Sequence, residues 1–522
     1  MIPFGILFDG EIPPYRESSG QCSYTKISVC YVHQSARPPV EDTRDLKEII
    51  LDIHRMNVLP TTSLSFQNLF VMGFSSAKKN STGCFSSLFG NLRKAKTLEQ
   101  KNTVPERLPA YEECITTKAL EHFDVKADTE IEKIIYDTID NASSELREIS
   151  LELHRNPELG MHEYHSHDLL TDFLERKGFK VTRHAYGMET AFTAEFTNGP
   201  GRRVGLCSEY DGLKGLGQGC GHNLIAISGV GAAMAIKAAL ESGRVKGKVI
   251  LYGTPAEEIT VGKVIMCNLD VFKKNVDVCM MIHPSPGDTV YHRMLAVDHV
   301  NVEFFGKPSH AAAAPWNGIN ALDAIAQTWN NISMLRQQIL PTDRIHGIIT
   351  DGGKAANIIP DYASATFFVR SLKISQLDEL KPRVEKCFEA AAIATGCKVK
   401  FSWKDVGVTK DVLVNSVMGD RYTKYMESYG ISYIPKSEQE QMSGGSTDAG
   451  NISYQVPLVH PGFGIHTTAV NHTHEFTAAA KTEIAHEDTL RATKAMSMTL
   501  IDILQSQDML DAAVAEFKKN TA

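Results

Sequence analysis

The sequence predicts an α/β protein: a mostly parallel sheet with helices on both faces, interrupted by a smaller inserted domain of βαββαβ order. Three observations carry this. Short apolar runs alternate with helical stretches from about residue 128 onward. Between about 295 and 410 that rhythm changes. Acidic, cysteine and histidine residues recur just beyond the apolar runs. Short apolar strands alternating with helices are the pattern of a buried parallel sheet.

Residues 1–127 read differently from the rest. They lack sustained periodicity, break repeatedly at proline and include SSAKKNSTGCFSSLFGNLRKAK. Such composition predicts a poorly ordered extension. The sharper reading is a partner-binding tail with Lys78, Lys79, Arg93, Lys94 and Lys96 as a basic patch.

The larger domain is expected over 128–294 and again over 411–522. Its first element, TEIEKIIYDTIDNASSELREISLELHRNPEL, places apolar residues at helical spacing and predicts one long amphipathic helix. FTAEFT, RRVGLCSEY, GKVILYGTP, VDVCMMIHP and the later VPLVHPGF read as strands. HNLIAISGVGAAMAIKAALESG and the C-terminal HEDTLRATKAMSMTLIDILQ read as helices. Between them, over 295–410, come strand AVDHVNVEFFG, helix INALDAIAQTWNNISMLRQQI, strands IHGIITDGG and ASATFFVRS, helix QLDELKPRVEKCFEAAAIATG and strand CKVKFSWKD. That order is the ferredoxin-like pattern.

Composition narrows the function classes. The chain has 522 residues, 43% apolar and 22% charged, so more than one domain is expected. A net charge of −8 leaves no electrostatic footprint for nucleic acid. No run of eighteen apolar residues occurs, so no membrane span is expected. The start MIPFGILFDGEIPPYRE lacks a basic segment and is a poor signal peptide. Ten cysteines without regular spacing suggest reduced thiols and a cytoplasmic location rather than a disulfide scaffold. The Asn80 and Asn471 sequons are then without consequence.

The residues that end the apolar runs point to chemistry. Asp211, the pair Glu257–Glu258 and His283 each follow a strand, and ligands bind beyond the carboxyl ends of parallel strands. Taken singly, an acid at a strand end is usually a loop residue or a helix cap. Cys220 and His222 lie in GLGQGCGHN, a glycine-rich loop opening a helix. Two apart in an extended segment, they would face one centre, and the helix N-terminus would help hold Cys220 as thiolate. One close Cys–His pair is more often structural. Adjacent Glu257 and Glu258 would diverge in extended geometry, one for a metal and one for a proton; an isolated EE is usually just solvated. For His283 and His472 the ordinary reading is a hydrogen-bonded structural histidine. Spacing does not choose among His460, His466, His472 and His474.

Taken together, SEYDGL, GCGHN, GTPAEE, SHAAAAPWNGINALDA, GGKAANIIPDYASATFFVR, GGSTDAGNISY and NHTHEFT make the chain from about 130 to 510 resemble the M20 metallopeptidases. Within them it is similar to the aminoacylase-like amidohydrolase branch, which includes dipeptidases that cleave β-alanyl or aminoacyl links to basic amino acids. The resemblance implies two divalent metal ions, zinc by preference with manganese or cobalt as alternatives. It implies Cys220, His222, Glu258, His283 and His472 as ligands and Glu257 as general base. His310 resembles a histidine that reaches a neighbouring subunit's site and steadies the oxyanion. Asn357 and Arg370 resemble contacts to the substrate's carboxylate side. A homodimer acting on a dipeptide or N-acyl amino acid is implied in the same way.

Two departures from the family pattern stand out. Gln218–Gly219 replaces His-Ala before Cys-Gly-His, and Ile259-Thr260-Val261 replaces a glycine-rich run after the paired glutamates. The second borders the substrate, so it bears on substrate identity. The rivals are an amidohydrolase of another amide conjugate and an inactive binding homologue. The joint presence of five ligand candidates and Glu257 argues against the latter.

Overall fold

The computed structural model describes residues 128–442 and 444–522, and the extension with its basic patch lies outside the described residues. The strands are β1 (Lys180–Arg183), β2 (Phe192–Thr197), β3 (Arg202–Ser208), β4 (Gly247–Gly253), β5 (Val278–Met280), β6 (His283–Ser285), β7 (Ala296–Phe305), β8 (Arg344–Asp351), β9 (Tyr362–Ser371), β10 (Lys398–Trp403), β11 (Leu458–Val459) and β12 (Gly462–Gly464).

The main sheet has the order β1-β2-β4-β3-β5-β11. Neighbours from β4 through β3 and β5 to β11 are parallel; β1 and β2 form an antiparallel flank. The parallel strands read as continuous apolar runs because they are covered on both faces, as the buried stretch Val204–Ser208 shows. One face carries the helices Thr129–Asn141, Ser143–Arg155, His222–Glu241 and Glu483–Gln505. The other packs Cys207, Ile250, Tyr252, Phe272 and Cys279 together with Ile452.

The expected single N-terminal helix is two. The chain breaks at Ala142, between Thr129–Asn141 and Ser143–Arg155. The two apolar stripes, Ile131, Ile135 and Ile139 and then Leu146, Ile149 and Leu153, still join one core. The local Asn-Ala-Ser sequence interrupts the backbone ladder without interrupting the burial pattern.

His222–Glu241 is the one helix among the described residues long and apolar enough to cross a membrane, by length and composition. It is a core helix, apolar nearly all round because sheet and helices enclose it. Its contact with β3 is so close that a Cβ at Gly229 would meet Ser208 Oγ at 2.2 Å.

The second sheet, β10-β7-β9-β8, is antiparallel throughout. With the helices Ala321–Leu335 and Ile374–Thr395 it has its own core, including Val300, Phe304, Phe367, Leu380 and Phe388. β9 alternates half-buried and buried residues along its whole length, the period-two signature of a sheet covered on one side. The main sheet directs the carboxyl ends of β3, β4 and β5 to one edge, where the conspicuous residues lie.

Candidate metal and active site

Cys220 and His222 converge through a turn rather than the extended geometry their spacing suggests. Gly221 between them has φ +82° and caps the helix that begins at His222. A Cβ there would meet Pro284 Cγ at 2.6 Å, so this position needs a residue with no side chain as well as a left-handed backbone. The turn presses the loop against the segment that carries His283.

His222 is buried, and its Nδ1 lies 2.9 Å from the Asp211 carbonyl oxygen and 3.1 Å from Asp211 Oδ1. That directs Nε2 inward, where it is buried without a hydrogen-bond partner. His283 is oriented in the same manner: its Nδ1 lies 2.8 Å from the Pro284 carbonyl oxygen and its Nε2 3.4 Å from Cys220 Sγ. A carbonyl or carboxylate on one ring nitrogen, leaving the other free, is how proteins prepare histidine as a ligand.

Glu257 and Glu258 occupy a tight turn after β4, not an extended segment. Ala256 (φ +60°) and Val261 (φ +59°) bound it, and Val261 N–H donates to the Ala256 carbonyl at 2.6 Å. Both carboxylates consequently face the same group: ligand atoms of His222, Glu257 and Glu258 lie within 4.8 Å of one another. The expected divergence of the pair does not occur, because the backbone turns where an extended chain would not.

Among the late histidines geometry makes the choice that spacing left open. His472 Nε2 lies 3.2 Å from Glu258 Oε1. His466 is engaged with Asp488 instead, at 2.6 Å, and His474 begins a helix. His472 has φ +67°, and its N–H donates to the Gly219 carbonyl at 2.8 Å, beside the Cys220 loop. Asn471 fastens the junction by donating from Nδ2 to the Cys220 and Pro284 carbonyls.

Six residues from four segments thus meet: Cys220, His222, Glu257, Glu258, His283 and His472. They form three overlapping triads of donor atoms, each within 4.8 Å, with Cys220, His222 and Glu258 shared between triads. The donors are a thiol, imidazoles and carboxylates, the set that borderline divalent metals take. Without bound cations the electrostatics favour protonated Cys220, His222 and Glu257. Burial pushes the Cys220 thiol up despite His222, so the helix N-terminus alone does not make it a thiolate; adjacent cations would. Burial opposes charge on His222, yet Cys220 and Asp211 outweigh it and favour the imidazolium. Burial holds His283 below its usual range. Burial first, then Glu209, Glu258 and Asp448, holds the Glu257 carboxyl well above the usual range.

The cluster opens into a cavity of about 980 Å³. Arg370 lines it; Nη1 donates to Ser446 Oγ at 2.8 Å and Nε to His346 Nε2 at 3.3 Å. His310 and Asn357 do not line it. They stand together, exposed, where Ala311 N–H donates to the Asn357 carbonyl at 3.0 Å. Within one chain these two are apart from the cluster.

One part of the site was not foreseen. Lys263 is fully buried, with Nζ 2.6 Å from both Glu209 Oε1 and Asp448 Oδ1. Glu209 Oε2 in turn lies 3.4 Å from His222 Nε2. A buried ammonium between two carboxylates fixes all three, since removing one member leaves charge stranded in low dielectric at about 3–5 kcal/mol. The signal was a solitary lysine in the apolar run VGKVIM, which only a buried counter-charge explains.

Known proteins agree with this architecture. The peptidase dimerisation domain of the M20 family matches residues 296–396. The chain is 41% identical to the Xaa-Arg dipeptidase of Mus musculus over 392 residues, covering 73% of this chain and 90% of that protein. It is 39% identical to the Homo sapiens Xaa-Arg dipeptidase over 399 residues, with the same coverage. Among solved structures, a dinuclear metal binding M20 peptidase from Bacillus subtilis superposes with a TM-score of 0.54 at 19% identity, over 70% of this chain and 99% of that one, and shares the fold. Fold, cluster and relatives define a hydrolase of peptide or linear amide bonds. More narrowly, the chain belongs to the M20 peptidase family.

Proposed function

We propose that the chain is a metal-dependent dipeptidase whose water is activated at a dinuclear centre, with Glu257 as general base. The supporting observation is the convergence of six donor residues at one sheet edge, with the unpartnered Nε2 of His222 turned inward and Nε2 of His283 turned to Cys220 Sγ. Cys220, His222, Glu258, His283 and His472 would hold the cations. The mixed sulfur, nitrogen and oxygen donors favour zinc, with manganese and cobalt as the alternatives.

Bound divalent cations supply Lewis acidity that lowers the pKa of a water and polarises the scissile carbonyl. The protein's own groups do the rest. Glu257 takes the proton from that water and delivers it to the leaving amine, a task suited to a carboxyl held above its usual range. Asp211 and the Pro284 carbonyl keep the two imidazoles turned inward. His310, exposed on the dimerisation domain, completes the site of a second copy in a homodimer and stabilises the oxyanion there. Substrates are dipeptides with a C-terminal arginine, as the names of the mouse and human relatives suggest, and the family resemblance adds β-alanyl-lysine to the candidates.

The test pairs elemental analysis with turnover on alanyl-arginine, β-alanyl-lysine and N-acetyl amino acids. Glu257→Gln should retain the metal and lose about 10²–10⁴-fold in kcat, the usual contribution of a positioned base. A variant that turns over normally would remove Glu257 from the mechanism.

A further inference from the structure

The cavity beside the cluster holds two cations, Arg370 and Lys404, with no carboxylate at ion-pair distance among the described residues, although Glu257, Glu258 and Asp448 also line it. Arg370 donates to Ser446 and His346 and forms no ion pair among the described residues. Lys404, just beyond β10, also lines the cavity; its Nζ donates to the Ile259 carbonyl at 2.5 Å and likewise has no carboxylate partner there. Both are partly buried, and burial lowers the pKa of each. Fully buried Lys263, by contrast, is matched by Glu209 and Asp448, and Lys381 by Asp298. Two unmatched, partly desolvated cations on one cavity wall are costly unless a ligand supplies the anion.

Lys404 stands at a junction. An ammonium has three N–H donors; one is used by Ile259, and the others remain for the cavity. Ile259 directly follows Glu258 in the turn bounded by Ala256 and Val261, two non-glycine residues with left-handed backbone. Such a turn stores strain of about 1–3 kcal/mol per residue and needs outside contacts to hold it. Lys404 provides one from the inserted domain. Its ammonium also lies within electrostatic reach of Asp448, Asp298 and Glu257, the last being the proposed general base.

We propose that Lys404 is a specificity-determining residue that, with Arg370, takes the free carboxylate of the leaving amino acid and couples that recognition to the Glu257–Glu258 turn. This rests on the dipeptidase reading. It implies that the enzyme separates a dipeptide from its C-terminal amide chiefly through Lys404.

The full-length protein is titrated calorimetrically with arginine and with argininamide, metal-free and metal-loaded, and assayed on alanyl-arginine and alanyl-argininamide. Lys404→Met should weaken arginine binding and raise KM for alanyl-arginine about 10–100-fold, the range of a charge-assisted hydrogen bond. Argininamide binding should change less than about twofold, because the amide offers that ammonium no charge. Lys404→Arg should recover most of the loss, which separates a role for the cation from damage to folding. Equal losses on acid and amide, or no loss on either, overturn the assignment. Arginine binding through Lys404 without hydrolysis of any dipeptide overturns only the dipeptidase reading. A wild-type protein that ignores arginine and dipeptide alike overturns both.

Discussion

At the scale of single residues, the site is organised by buried groups that never touch an exposed surface. Glu163 is one of them. It is fully buried, Oε1 accepts from Ala256 N–H at 2.7 Å, and Oε2 accepts from Thr190 Oγ1 at 2.8 Å, so it anchors the start of the Ala256–Val261 turn. Burial, then the Asp211 charge, raises its carboxyl to about 7. The sign follows from linkage. A folded pKa above the unfolded value of about 4.3 means that folding takes up a proton between those limits. The stability this group contributes is complete below pH about 4.3 and is lost as pH rises through 7, on the order of 3 kcal/mol in all. Glu163→Gln in metal-free protein should flatten that fall while keeping an acceptor for Ala256. Chemical denaturation between pH 5 and 8 measures it. An unchanged slope would mean that Glu163 is already ionised in the fold.

At the scale of elements, what matters is how loops are made to turn at strand ends. β3, β4 and β5 deliver the chain to one edge, but the glycine before His222 and the strained Ala256–Val261 turn aim the side chains. Gly221→Ala therefore tests geometry rather than chemistry. It meets both a left-handed φ and a 2.6 Å approach to Pro284 Cγ. The left-handed backbone alone costs about 1–2 kcal/mol, and the collision adds to it. We expect a lower melting temperature and, in the folded fraction, weaker metal retention because Cys220 and His222 shift together. Full metal occupancy at wild-type stability would show that the turn adapts without displacing the ligands.

At the scale of the whole molecule, His310 is the open question of assembly. It is exposed and does not line the cavity of its own chain, while the dimerisation domain family covers its segment. If it serves a second copy, His310→Ala and Glu257→Gln are each inactive alone but complementary when mixed. Random exchange of equal amounts makes half of the dimers mixed, each with one site holding both groups, so roughly a quarter of wild-type turnover should return. Mixing under dilution and reconcentration, followed by an activity assay, reads this directly. No recovery despite exchanged subunits would place His310 outside the reaction.

Legibility differed along the same scales. The apolar runs and their spacing determined the strands, the core helix and the βαββαβ insertion, because burial writes a period of two, a period of 3.6 or an unbroken apolar run into the residues themselves. β1 escaped, since KVTR is a short flank strand, partly exposed and without such a pattern. Cys220, Glu257, Glu258, His283 and His472 were visible as chemistry-bearing residues at strand ends and in loops. That they share one centre, and that His472 is the late histidine in it, was implied only by the family resemblance and not by spacing. Lys263, Glu209 and Asp448 became a unit only on folding, being 54 and 185 residues from one another along the chain in their two pairings. Periodicity and composition act between near neighbours, so sequence alone determined most of the elements and their order. Convergence depends on backbone turns such as Gly221 and Ala256 and on charges paired across the core, and those exist only once distant segments pack together.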